Sequence, residues 1–225
     1  MRTEIIQEDR DILVVYKPPG LATQTARVGQ QDVVSQLKNH LSDPYLGVIH
    51  RLDQPVEGLL VFAKNKKAAA ALTEQLQHQG EDSLFSKHYY AVVCGLPEIC
   101  QERLENYICK DRDNRAVILE KPSVQKAVLN YMILQKSEEK RIALADIFLE
   151  TGRFHQIRAQ MAYRGMPLLG DLKYGNEESR RRTQSLGIRN VALCAYRLEF
   201  THPVSKERLT FRIKPRGSVF SFFSQ

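Results

Sequence analysis

The sequence predicts an α+β fold with a curved, mainly antiparallel mixed sheet, and three observations carry that prediction. Eight short apolar or alternating runs are strand candidates, while only three stretches show helical periodicity. Short polar loops join consecutive strand candidates, where a parallel sheet would need helical crossovers. No repeat, low-complexity tract or Ser/Gly-rich linker interrupts the chain, which predicts one continuous domain over residues 1–225.

Taken in order, ILVVY (12–16) is β-branched and aromatic and stops at Lys17-Pro18-Pro19-Gly20, which suits neither a helix nor a ladder. DVVSQLKNHL (32–41) sets Val33, Val34, Leu37 and Leu41 on one helical face, with Asp32 as N-cap. GLLVFAK (58–64) reads as a buried strand. Asn65 then caps KKAAAALTEQLQHQ (66–79), and Gly80 supplies its stop. HYYAVVC (88–94), RAVILE (115–120), AVLNYMILQ (127–135) and RIALADIFLE (141–150) are further strands, separated by turn-like KDRDN and KSEEK. FHQIRAQMAYR (154–164) is helical and closes at Gly165 and Pro167. VALCAYRLEF (191–200) and RLTFRI (208–213) alternate like half-buried strands.

The chain has 225 residues, 43% of them apolar and 26% charged, which is enough for a packed core. Its longest apolar runs fall far short of the roughly 20 residues of a membrane helix. MRTEIIQEDRD at the N-terminus has no apolar signal core, so a cytoplasmic protein with no membrane association is expected. Cysteines 94, 100, 109 and 194 form no Cys-x-x-Cys pair and read as reduced, mostly buried thiols. No phosphate-cradling glycine motif and no nucleophile elbow occurs. The six histidines form no metal pair. Neither a metal nor a cofactor is expected.

Charge is unevenly placed. The net formal charge is +7, but residues 151–225 alone hold 14 Lys/Arg against 5 Asp/Glu. They include Arg180, Arg181 and Arg182 in a row. A basic field confined to one segment is the footprint of a polyanion binder, or else a solvated surface kept for solubility.

Two segments are dense in polar groups where core is expected. In GVIHRLDQPVEGLLVFAKN (47–65), His50, Arg51 and Asp53 interrupt an apolar run. Desolvating them unpaired would cost several kcal/mol. Either the loop is exposed, or its charges are paired and poised. In ETGRFHQIRAQMAYRGMPLLGDLKYG (150–175), Arg153, His155, Gln156 and Arg158 open a helix, with His155 and Arg158 on one face. Alone, this is also what an amphipathic helix with a basic face looks like.

Together the two segments resemble the RluA-type RNA pseudouridine synthases. HRLDQPVEGLLVFAKN is similar to that family's catalytic loop and following strand, and TGRFHQIR with its Gly-Asp-x-x-Tyr-Gly tail is similar to its second hallmark. YKPPGLATQT (16–25), SKHYYAVVCG (86–95) and CAYRLEFTHPVSKERLTF (194–211) resemble three further blocks in family order. The resemblance implies isomerisation of specific uridines in ribosomal or transfer RNA, without cofactor or metal, in a central RNA-binding cleft. It implies Asp53 as the catalytic carboxylate, Arg158 as its guanidinium partner and Tyr89 as the aromatic residue that stacks on the base. Arg51 would fill the gap left by the flipped nucleotide. His50, Arg153, His155, Gln156 and Lys17 are expected to contact RNA, and so is Arg180–Arg182 on a flexible loop at 178–190. The family's small N-terminal RNA-binding domain is expected to be absent, and the protein to be a monomer. A non-catalytic RNA-binding relative is the alternative. A nucleoside hydrolase with Asp53 and Glu57 as paired carboxylates is a further one.

One departure stands inside the catalytic loop: Val56-Glu57 replaces the family's Thr-Ser. An inward Glu57 would place a second negative charge near Asp53, and an outward one would be neutral to the chemistry.

Overall fold

A computed structural model describes residues 1–25, 29–41, 45–77, 84–119 and 125–223. The elements run β1 (Glu4–Glu8), β2 (Ile12–Lys17), α1 (Val33–His40), β3 (Gly47–Val48), β4 (Glu57–Ala63), α2 (Lys66–Gln77), β5 (Phe85–Cys94), β6 (Gln101–Lys110), β7 (Ala116–Leu119), β8 (Gln125–Ser137), β9 (Ile142–Leu149), α3 (Gln156–Tyr163), α4 (Glu177–Ser185), β10 (Leu193–Thr201) and β11 (Arg208–Arg212). The chain packs as two compact units. One comprises Met1–Lys87 with Ala195–Pro215, and the other His88–Cys194 with Arg216–Gln225. The unit boundaries fall inside β5 and β10.

In the first unit the strands lie in the order β1-β2-β4-β10, with β3 on β4 and β11 on β10. All seven residues of β4 are buried, as its nearly unbroken apolar run requires of a strand flanked on both sides. Gly58 at its start has φ +134°, and a Cβ there would lie 2.5 Å from the backbone N and O of Ala195, so only glycine allows β10 this close. Ile12, Val14, Leu59, Val61, Leu198, Phe200 and Phe211 form the core with Ala68 and Leu72 of α2. The expected caps are present. Asp32 accepts the Ser35 N–H at 2.6 Å, and Asn65 accepts the Ala68 N–H at 2.8 Å. The expected Gly80 stop of α2 lies outside the described residues.

The second unit orders its strands β5-β9-β8-β6-β7, with every pair antiparallel. Helix α3 lies against β6 and β7, packing Ala159 on Ile108, Ala116 and Ala127. It starts at Gln156, later than the sequence suggests, because His155 before it is left-handed at φ 51°.

All eight strand candidates are strands. Three others, β1, β3 and β6, escape the sequence reading. β6 (QERLENYICK) buries only Leu104 and Ile108, so its pattern reads as polar. The loop expected at 178–190 is largely the helix α4, which corrects that reading. Asn176 caps it by accepting the Ser179 N–H, and Glu177 and Glu178 pair with Arg181 and Arg182 one turn on. Charge pairs and the cap, not an apolar stripe, make this helix. The thiols are free, but Cys100 is exposed and Cys109 half-buried, so two of the four depart from the expected burial.

Candidate active site

Asp53 sits in a short loop before β4, and that loop is strapped to residues 17–23 on both sides of the carboxylate. On one side, the Thr23 hydroxyl donates to the Leu52 carbonyl at 2.9 Å and accepts the Leu52 N–H at 3.2 Å. On the other, the Gln54 carbonyl accepts the Gly20 N–H at 2.7 Å and the Lys17 ammonium at 3.1 Å. The Gln54 side chain returns a bond to the Gly20 carbonyl at 3.0 Å, and the Asp53 carbonyl accepts the Val56 N–H at 3.0 Å. A loop tied at residues 52, 54 and 56 holds its middle residue in one orientation. Asp53 is half-buried and Arg51 exposed. That resolves the choice left by the sequence: the loop is open at its tip and anchored at its base.

Lys17 lies under this loop, fully buried. Its ammonium donates to the carbonyls of Pro18, Leu21 and Gln54. An RNA-contacting role for Lys17 is therefore corrected, since all three of its donors are spent inside the protein. Burial pushes its pKa down to about 7, opposed by the charges of Asp53 and Glu57. Unfolded, the same group titrates at 10.5. The folded state thus carries the whole penalty of a buried ammonium below pH ~7, and stability rises as pH climbs from ~7 towards ~10.5. Lys17→Met should flatten that rise, measured as the difference in unfolding free energy between pH 7 and pH 9.5 in urea melts. An unchanged slope would contradict a buried ammonium.

Glu57 points inward. It is buried and accepts the Tyr16 hydroxyl at 2.6 Å. A second carboxylate therefore does stand behind the loop, and Tyr16 and the Lys17 charge are its compensation. His50 is buried too. Its Nε2 accepts the Val61 N–H at 3.3 Å, and its ring meets Phe85 edge-on. Burial, with the nearby Lys87 charge, pushes its pKa down to about 3, so it is a neutral core residue and not an RNA contact. Lys87 is itself held down to about 8 by burial. The sequence reading missed it, although its place in SKHYYAVV marked it.

In the second unit, Arg158 is buried and grips Asp171 bidentately, Nε to Oδ2 at 2.7 Å and Nη2 to Oδ1 at 2.8 Å. Asp171 Oδ1 also accepts the N–H groups of Lys173 and Tyr174. The guanidinium lies 5.1 Å from the Tyr174 ring centroid. Asp171 and Tyr174 are thus the partners of Arg158 within the second unit, and the GDLKYG run was the signal for them. Tyr89 is buried on β5 and Tyr90 only half-buried, in keeping with alternation.

The remaining expected RNA contacts divide. Gln156 is buried, accepts from Thr151 and the Arg153 N–H, and donates to the Val128 carbonyl, so its task is to fix the start of α3. Arg182 gives its Nη1 to the Lys140 carbonyl at 2.6 Å and its Nη2 to Glu178 at 2.9 Å, which ties it to the fold. For Gln156 the RNA-contact reading is corrected, while Arg182 keeps part of its side chain exposed. Arg180 and Arg181 stay exposed, and Arg153 half-exposed. His155 shares a 2.7 Å hydrogen bond with the Tyr174 hydroxyl. Among the described residues the one cluster with metal-ligand spacing is Asp9, Asp11 and His202. Its atoms serve turns instead: Asp9 caps the Asp11 and Ile12 N–H groups and meets His202, and Asp11 holds Asn65.

Residues 11–163 match the model of the RNA pseudouridylate synthases. The chain belongs to that family. An uncharacterised RNA pseudouridine synthase of Aquifex aeolicus is 31% identical over 98% of this chain and 72% of its own length. A protein named ribosomal large subunit pseudouridine synthase D of Neisseria meningitidis is 33% identical over all of this chain and 61% of its own. The Zymomonas mobilis protein of that name is 33% identical over 92% and 68%. The chain thus spans about two thirds of the length of these relatives. Among solved structures, human RNA pseudouridylate synthase domain containing 4 superposes with a TM-score of 0.74 at 24% identity, covering 95% of this chain and 89% of that one. The fold is that of the family, and the family's members are isomerases. No described helix is long and apolar enough to cross a membrane.

Proposed function

We propose that this pseudouridine synthase converts a uridine of large-subunit ribosomal RNA to pseudouridine, with Asp53 as the catalytic carboxylate. The observation that carries the reading is the double strapping of the Asp53 loop, which presents one carboxylate from a rigid base beside an exposed arginine. Rigid placement is what a reaction at a single glycosidic bond demands.

In the reaction the N1–C1′ bond breaks, the base turns, and C5 bonds to C1′. N1 gains a proton and C5 gives one up, so atoms balance without any co-reactant. Asp53 can serve by adding to the sugar, by adding to the base, or by taking a proton. Arg51 is the side chain proposed to fill the helical gap when the uridine leaves its stack. Tyr89 is proposed to stack on the base, and Arg158 to be the guanidinium partner of Asp53. We further propose a single catalytic domain acting as a cytoplasmic monomer. Ribosomal RNA is favoured over transfer RNA because several relatives carry the ribosomal name.

The test is pseudouridine mapping of total RNA from cells with and without the gene. One or more large-subunit sites should disappear with the gene. Loss confined to transfer RNA would overturn the substrate, and no loss anywhere would overturn the activity.

A further inference from the structure

Phe154 is a large aromatic residue in the middle of TGRFHQIR, yet 39% of it is exposed. It is not loosely held. Its ring stacks on His155 at 3.8 Å between centroids and 22° between planes. His155 is left-handed and bonds the Tyr174 hydroxyl, which in turn accepts the Ala116 N–H at 2.7 Å. Over the Phe154 ring, at 5.0 Å, stands the ammonium of Lys110, an exposed residue at the end of β6.

The turn after Lys110 is equally fixed. Asp111 accepts the Arg115 N–H at 2.7 Å, and its own N–H bonds the Arg115 carbonyl at 2.9 Å. Lys173 reaches the Asn114 carbonyl, Arg115 reaches the Lys173 carbonyl, and Arg115 also lies over the Tyr174 ring. The hairpin end, the Phe154 turn and the 171–174 turn therefore form one braced surface. It presents Lys110 over the Phe154 ring, with Arg112, Arg115 and Lys173 on the turns that brace it. The acids there are Asp111, which is engaged within the turn, and Asp113.

An exposed aromatic face under a cation is the chemistry that holds an unpaired nucleotide: the ring takes the base and the cation takes the backbone. We propose that Phe154 is a stacking platform for an unpaired base of the RNA substrate, with Lys110 moving from the ring to the adjoining phosphate. The inference rests on the RNA-directed reading above and adds that the bound segment is single-stranded at this point, as in a loop or bulge.

The test is binding of the full chain to a hairpin RNA with an unpaired loop, and to a fully paired duplex of equal length, across several salt concentrations. Phe154→Ala should weaken loop binding by about 5- to 100-fold without changing the salt slope, because no charge is lost. Phe154→Tyr should restore binding. Lys110→Ala should instead reduce the slope of log affinity against log salt by about 0.7. A 2-aminopurine in the loop should be quenched by the native protein and not by Phe154→Ala. Equal weakening on loop and duplex, or unchanged loop affinity, would overturn the proposal. These are binding measurements, so the outcome is separate from that of Asp53 variants in turnover.

Discussion

Asp53→Ala should lower pseudouridine formation by at least about 10⁴-fold while RNA affinity stays the same or rises slightly. The split follows from the site. The carboxylate is the one group of the loop proposed to reach the reacting bond, so its removal deletes the chemical step. The loop itself is held by the Thr23 hydroxyl, the Gly20 N–H, the Lys17 ammonium and the Gln54 side chain; the Asp53 carboxylate adds only its charge in support of the buried Lys17 ammonium. The fold should survive, and one negative charge facing a polyanion is gone. Turnover by tritium release from 5-labelled uridine, alongside binding of the same RNA, measures both halves. Turnover within tenfold of the native protein would remove Asp53 from its role. Turnover and binding lost together would show that the carboxylate holds the loop and does not act on the substrate.

Asp171→Ala is expected to be the most damaging single change to stability. It leaves the buried Arg158 guanidinium without its bidentate acceptor and the Lys173 and Tyr174 N–H groups without theirs. Breaking one side of a buried pair costs about 3–5 kcal/mol, because the surviving charge stays desolvated. In a chain of this size that corresponds to a fall in Tm of roughly 10 °C. The double variant Arg158→Met with Asp171→Leu, which removes both charges and keeps volume, should recover much of the stability. It should not recover activity if Arg158 is the guanidinium partner of Asp53. Thermal melts of the three proteins give the first comparison and turnover the second. A Tm for Asp171→Ala within 2 °C of native would mean that the pair is not the buried anchor described.

How much of this was legible beforehand differs between residues for physical reasons. The strands that fill cores announced themselves, since ILVVY and GLLVFA can only be buried. The caps at Asp32 and Asn65 were readable because capping is local chemistry, settled within three residues. β6 was hidden because one side of it faces solvent, and α4 because its stability comes from ion pairs and a cap and not from an apolar stripe. Among the site residues, Asp53 and Arg51 were picked out by polarity inside an apolar run. That same signal could not tell a residue that faces substrate from one that faces core. His50, Lys17 and Gln156 look like contacts in one dimension and prove to be internal braces in three.

The sequence alone determined the family, eight of the described strands and the acid of the HRLD loop, because each rests on short-range pattern. Only the tertiary structure decided that Lys17 is the buried strap beneath that acid, that Arg158 is planted on Asp171, and that Phe154 stands open under Lys110. Those depend on which distant backbone carbonyls and side chains arrive at the same place, and burial, which fixes the use of every polar group, is a property of that meeting and not of local sequence.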